Sequence, residues 1–154
     1  MDAEERIIAG HWYAIGLYVG RSPLALVPAP GISNPVLSYR DITDVSAIFV
    51  ADPFLIRHDG IWYLFFEVYN EHTDKGEIGM AVSVDARSWE YRGLVLVEDF
   101  SISYPYVFHW QGQFYMVPEM YEQDCVRLYR AESFPYDWRP VANLITDGPV
   151  ADPS

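Results

Sequence analysis

The sequence predicts an all-β fold made of two copies of one four-stranded unit, and three observations carry that prediction. The first is a repeat. Ala51–Glu67 reads ADPFLIRHDGIWYLFFE and returns without a gap at Ser103–Glu119 as SYPYVFHWQGQFYMVPE, so that Pro53 matches Pro105, Gly60 matches Gly112, Tyr63 matches Tyr115 and Glu67 matches Glu119. The second is composition: Tyr 12, Phe 8 and Trp 5 make 16% of the chain aromatic, and such side chains suit a pleated, half-buried surface better than a helix. The third is turn chemistry. Asp59-Gly60 lies between two apolar runs, with Gln111-Gly112 at the same place in the second copy, and such pairs favour two-residue hairpin loops because both residues accept positive φ.

Taken in order, residues 1–11 read as a polar lead and Trp12–Val19 as a first strand. Ser22–Ser33 reads as a loop, because Pro23, Pro28 and Pro30 each remove a backbone donor. Asn34–Tyr39 is expected to be an edge strand, followed by a polar link through Asp41 and Asp44. After the first hairpin, Glu77–Val84 and Trp89–Val97 read as strands joined by the turn Asp85–Ser88. In the second unit Val126–Ala131 and Trp138–Ile145 take those places, with Pro135 in the turn. Ser83, Asp85 and Trp89 resemble an Asp-box turn, in which the Asp braces the hairpin.

Four strands in about 50 residues is the period of a β-propeller blade. A blade buries both faces against its neighbours, and most strands here read apolar on both sides. The chain is therefore expected to be one partial β-propeller domain. Residues 12–50 are lead strands and loop, 51–102 one blade, 103–150 a second, and 151–154 the start of a third, since Ala51-Asp52-Pro53 returns at Ala151-Asp152-Pro153.

The hairpin register points to a site. If both loops have two residues, His58 pairs with Ile61, and counting back sets Asp52 opposite Glu67 and Tyr104 opposite Glu119. Carboxylates directly opposite lie with Cβ atoms about 5 Å apart and repel. A shared proton, a cation, an arginine or a sugar hydroxyl relieves that repulsion, and a shared proton raises one pKa. The competing roles are structural: Asp52 and Asp152 as turn residues accepting backbone N–H groups, and Glu67 and Glu119 in hydrogen bonds between blades. Tyr104, Tyr106, Trp62 and Trp110 suit either sugar stacking or core packing.

The net charge of -12 repels phosphate backbones and anionic membranes, so nucleic acid is not an expected partner. A neutral, hydroxyl-rich ligand or a cation is compatible with it. Cys125 is the sole cysteine, which excludes an internal disulfide, and the acidic neighbours Glu122 and Asp124 disfavour its thiolate. His11, His58, His72 and His109 lack the spacing of zinc ligands, so neither a catalytic metal nor a cofactor is expected. The start, Met1-Asp2-Ala3-Glu4-Glu5, is acidic, and no apolar run reaches the ~20 residues of a membrane span; a cytoplasmic protein without a membrane span is the expectation.

Several stretches together carry a family resemblance: Trp12 with Ile15-Gly16, Asn34-Pro35-Val36, Val50–Phe54, Tyr63–Glu67, Gly76–Gly79, Ser103–Phe108, Met116–Glu119, and Arg127–Ala131 with Phe134-Pro135. On these the chain resembles the N-terminal propeller-like domain of the glucosamine inositolphosphorylceramide transferases and their bacterial relatives. More distantly it is similar to the five-bladed propellers of glycoside hydrolase family 43. The first resemblance implies a domain that precedes a separate glycosyltransferase domain. The second implies an inverting mechanism with three axial carboxyl groups: a base at Asp52, a pKa-tuning aspartate where this chain has Tyr104, and an acid beyond Asp152.

The resulting expectation is a carbohydrate-binding or carbohydrate-active module associated with glycosyl transfer, not hydrolytic by itself, whose ligand is a carbohydrate or glycolipid head group. Asp52 and Glu119 are its candidate catalytic groups, and Glu67, Tyr104, Tyr106 and Asp152 its candidate substrate contacts. The alternatives are an inverting hydrolase completed by further blades, and a structural fragment that associates with copies of itself or with complementing blades.

Overall fold

The computed structural model describes residues 13–148 and 150–154. The polar lead and Trp12 lie outside the described residues. Ten strands follow in chain order: β1 Tyr18–Gly20, β2 Leu26–Pro28, β3 Ala47–His58, β4 Ile61–Asn70, β5 Lys75–Ser83, β6 Glu90–Leu96, β7 Ser103–Trp110, β8 Gln113–Glu119, β9 Val126–Ser133 and β10 Asp137–Ile145. Strands β3 to β6 form one antiparallel four-stranded sheet in sequential order, and β7 to β10 form another.

Both hairpins close as the turn residues dictate. His58 pairs with Ile61 and Trp110 with Gln113, and Asp59, Gly60, Gln111 and Gly112 all take positive φ. The far ends of the ladders differ from the counted register: Ala51, not Asp52, pairs with Glu67, and Ser103, not Tyr104, pairs with Glu119. A β-bulge in each strand causes this. Asp52-Pro53 together oppose Phe66, and Tyr104-Pro105 together oppose Pro118, with Asp52 at φ 50° and Tyr104 at φ 47°. One extra residue bends the strand and re-aims the side chain beside it.

The sheets pack face to face. Alternation along the strands turns Phe65, Ile78 and Met80 of the first sheet toward Val107, Phe114, Met116, Tyr129 and Trp138 of the second, in one buried cluster. Phe134 stacks on Phe114 with ring centroids 3.8 Å apart. The other face of the first sheet, with Val50, Leu64, Phe66, Val68 and Ala81, is covered by Ile15, Leu37 and Ile42 from the lead segment. Two such sheets layered on shared apolar faces are propeller blades in arrangement.

The lead segment departs from expectation in two places. Ser22–Ser33 contains a strand after all, because Tyr18–Gly20 turns back and pairs with Leu26–Pro28; Pro28 is tolerated because β2 is an edge strand of a two-stranded sheet. Asn34–Tyr39 contributes only the bridge Ile15–Leu37. Ser38 instead caps a 3-10 turn over Tyr39–Asp41, its backbone N–H donating to the Asp41 carboxylate at 2.8 Å, and this local alternative competes with pairing.

Candidate functional site

The site grows from the bulges. Asp52, Tyr104 and Asp152 take the same left-handed conformation, with φ of 50°, 47° and 47°. Aspartate tolerates that region, whereas a bulky tyrosine there is an outlier, and such strain collects where surrounding structure holds it in place. The three residues take corresponding places in the repeat, and the carboxylates of Asp52, Glu67, Glu119 and Asp152 lie near enough for their charges to interact: Asp52 with Asp152, and Glu67 with Asp52 and Glu119.

Glu67 is the central group. Its strand position turns it toward the second sheet, as it does Phe65, and it is only 8% exposed. Burial in the first place, then the charges of Asp52 and Glu119, push its carboxyl up to about 8. Asp52 is also raised: burial is the largest cause, the Tyr104 backbone amide acts against it, and Asp152 adds repulsion. Glu119 is half-buried, and its Oε2 accepts the Asp152 backbone N–H at 2.6 Å. Among the described residues, ion pairs join His58 to Asp59, Arg92 to Glu90 and Arg130 to Glu132, and none reaches these four carboxylates.

Aromatic groups line the approach. Phe54, two residues beyond Asp52, meets Tyr104 edge-on at 4.7 Å and Tyr106 at 5.7 Å. Both tyrosines are half-buried. Phe54 went unrecognised in the sequence as part of this group; its place in A-D-P-F was the signal, but only the bulge brings its ring to the tyrosines of the next sheet.

Gly76 is the second residue missed. A Cβ there would lie 2.6 Å from Glu67 Oε1 and 2.5 Å from the Ile102 carbonyl oxygen, so the bare backbone makes room for the Glu67 carboxyl group. The run Gly76–Gly79 was visible as a motif, but not what it makes room for.

Other singled-out residues lie elsewhere. Trp62 carries the Arg57 guanidinium 5.3 Å above its ring, and Trp110 is exposed at the second hairpin. His58 and His109 face each other at 6.2 Å by the hairpin turns. Asp85 Oδ1 accepts the Arg87 and Ser88 amides at 2.8 and 2.9 Å and bonds the Ser83 hydroxyl at 2.9 Å, as an Asp-box brace requires. Among the described residues no group of three or more His, Cys, Asp or Glu side chains converges as metal ligands. No helix among them is long and apolar enough to cross a membrane.

The family model of glucosamine inositolphosphorylceramide transferase 1, N-terminal, matches residues 6–154. The chain belongs to this family. Glucosamine inositolphosphorylceramide transferase 1 of Oryza sativa subsp. japonica is 39% identical over 160 residues, covering 94% of this chain and 21% of the relative. The protein of that name from Arabidopsis thaliana is 36% identical over 158 residues, covering 93% and 20%. The chain thus spans about a fifth of the length of these relatives. Among solved structures, the Bombyx mori family 32 beta-fructofuranosidase superposes with a TM-score of 0.60 at 16% identity, over 80% of this chain and 28% of that one. An exo-beta-1,3-galactanase from Clostridium thermocellum does so with 0.51 at 20% identity, over 60% and 23%. These two likenesses concern the fold alone, whereas the family membership makes this N-terminal domain a carbohydrate-related one.

Proposed function

We propose that this member of the transferase N-terminal family is a carbohydrate-recognition module, serving glycosyl transfer and not hydrolytic by itself. The observation that carries the reading is Glu67: a residue 8% exposed, its carboxyl group without a cationic partner among the described residues, near Asp52 and the aromatic group of Phe54, Tyr104 and Tyr106. Carbohydrates suit such a place, because hydroxyl groups bond carboxyl oxygens while the apolar ring face packs on aromatics. The names of the curated relatives, which speak of glucosamine and inositolphosphorylceramide, support a sugar or glycolipid head group as the ligand. A glycan panel read by NMR titration tests this. The native chain is expected to bind and Tyr104→Ala to bind about tenfold more weakly, the scale of one lost stacking contact; absence of binding across the panel would overturn the reading.

Asp52 favours a second reading, an inverting hydrolase, because it stands at the place the family 43 resemblance gives to the base. Tyr104 argues against it by replacing the second aspartate. Turnover of glycosides that disappears in Asp52→Asn would establish hydrolysis. The half-open apolar face of the second sheet, formed by Phe108, Tyr115, Leu128 and Leu144, supports association with another sheet, and light scattering tests association with a second copy.

A further inference from the structure

We propose that the β1–β2 hairpin is a dimerisation element, in which β1 of one chain pairs antiparallel with β1 of a second copy about a twofold axis at Val19. The inference is independent of the carbohydrate reading. Among the described residues β1 and β2 form a two-stranded sheet of three residues a side, whereas the other two sheets have four strands each. A lone hairpin is marginal in water, and an unpaired strand edge is a template for another strand.

Surface, charge and backbone together choose the occupant. All six strand residues are exposed, and Tyr18, Val19, Leu24, Leu26 and Val27 leave between 42% and 96% of their surface open. Apolar patches of this kind mark contact surfaces. Residues 13–39 hold one charged side chain, Arg21, in a chain whose net charge is -12. Two copies repel each other through their carboxylates, and the hairpin lets them meet without opposing any. The backbone then separates a strand from a lipid. Open sheet edges are not tolerated in hydrocarbon, where their N–H and C=O groups go unsatisfied, whereas a second strand satisfies them.

Edge chemistry selects β1. In β2, Pro28 has no N–H to donate, while Tyr18-Val19-Gly20 carries neither the proline nor the charge that guards an edge. With Val19 opposite its own copy, each Tyr18 stands across from the other chain's glycine at position 20, and an aromatic ring beside a glycine is a favourable cross-strand pair. The product is a four-stranded sheet in the order β2–β1–β1–β2, the width of the other two sheets. Three residues a side make a small interface, so half-association is expected at a concentration on the order of 100 µM.

Sedimentation equilibrium of the intact chain from about 10 µM to about 1 mM tests the proposal, and the average mass is expected to rise from one chain toward two. Val19→Lys sets two ammonium groups directly opposite each other and is expected to weaken association at least about tenfold. Phe108→Ala, on the apolar face of the second sheet, is expected to leave it unchanged. In a Cys125→Ser background, Val19→Cys is expected to form a disulfide-linked dimer on mild oxidation, because directly opposite residues have Cα atoms about 4.5–5.5 Å apart, within disulfide reach. Leu24→Cys, at the hairpin tip, is expected to remain a single chain. Should Val19→Lys fail to fold by circular dichroism, the two cysteine variants decide. A mass of one chain throughout, or association that survives Val19→Lys, would overturn the proposal, and loss of association in Phe108→Ala would give the contact to the second sheet instead. Binding to phosphatidylcholine vesicles by a chain that stays monomeric would equally overturn it, giving the patch to a lipid surface.

Discussion

Glu67 and Glu119 occupy matching places on matching hairpins, yet the fold treats them differently. Glu67 faces the neighbouring sheet and is buried with no hydrogen-bond donor among the described residues, whereas Glu119 points away from that interface, is half-buried, and holds the Asp152 amide. The matching tryptophans differ too. Trp138 donates to the Pro135 carbonyl at 2.8 Å, but the buried Trp89 indole N–H has no partner among the described residues. The lesson is that position in a repeat specifies a side chain's direction, and the neighbouring layer specifies its chemistry.

The largest expected contrast is in packing. Phe65→Ala, at a fully buried position between the sheets, is expected to cost about 3–5 kcal/mol. Phe108→Ala, on the half-open face of the second sheet, is expected to cost less than about 1 kcal/mol. Urea unfolding of the two variants measures the difference, and similar costs would mean that the second face is covered.

A smaller effect isolates the space around Glu67. Gly76→Ala puts a methyl group against the Ile102 carbonyl and the Glu67 carboxyl group, and crowding of this kind costs about 1–3 kcal/mol. Its urea midpoint should fall, and an unchanged midpoint would show that the carboxyl group has room to move.

The smallest contrast appears in pH dependence. A carboxyl group raised to about 8 in the folded chain, against 4.5 when unconstrained, binds its proton more tightly folded than unfolded. Its contribution is fully present below pH 4.5 and is lost as the pH rises through 8. Glu67→Gln should therefore flatten the decline in stability across that window. A decline that persists unchanged in Glu67→Gln would show that this carboxyl group does not drive it.

Much of the fold was legible because it is written in local signals. Asp59-Gly60 and Gln111-Gly112 define the hairpins, and the apolar runs locate the strands that pack. The lead segment was less legible. There Pro23, Pro28 and Pro30 suggested a loop, whereas the pairing of β1 with β2 is a contact between residues brought together by a turn. The register was read to within one residue: the count set Asp52 opposite Glu67 and Tyr104 opposite Glu119, and the bulges put Ala51 and Ser103 there instead. A bulge needs positive φ at one position, and Tyr104 is a residue that local preference alone would not put there.

The sequence by itself determined that the chain forms hairpins of aromatic and branched residues, where each tight turn falls, and which carboxyl groups recur. Those are properties of short segments and of the twofold strand period. Only the tertiary structure decided that Glu67 is buried and Glu119 is not, because desolvation comes from the sheet laid over a residue, whatever its neighbours in the chain.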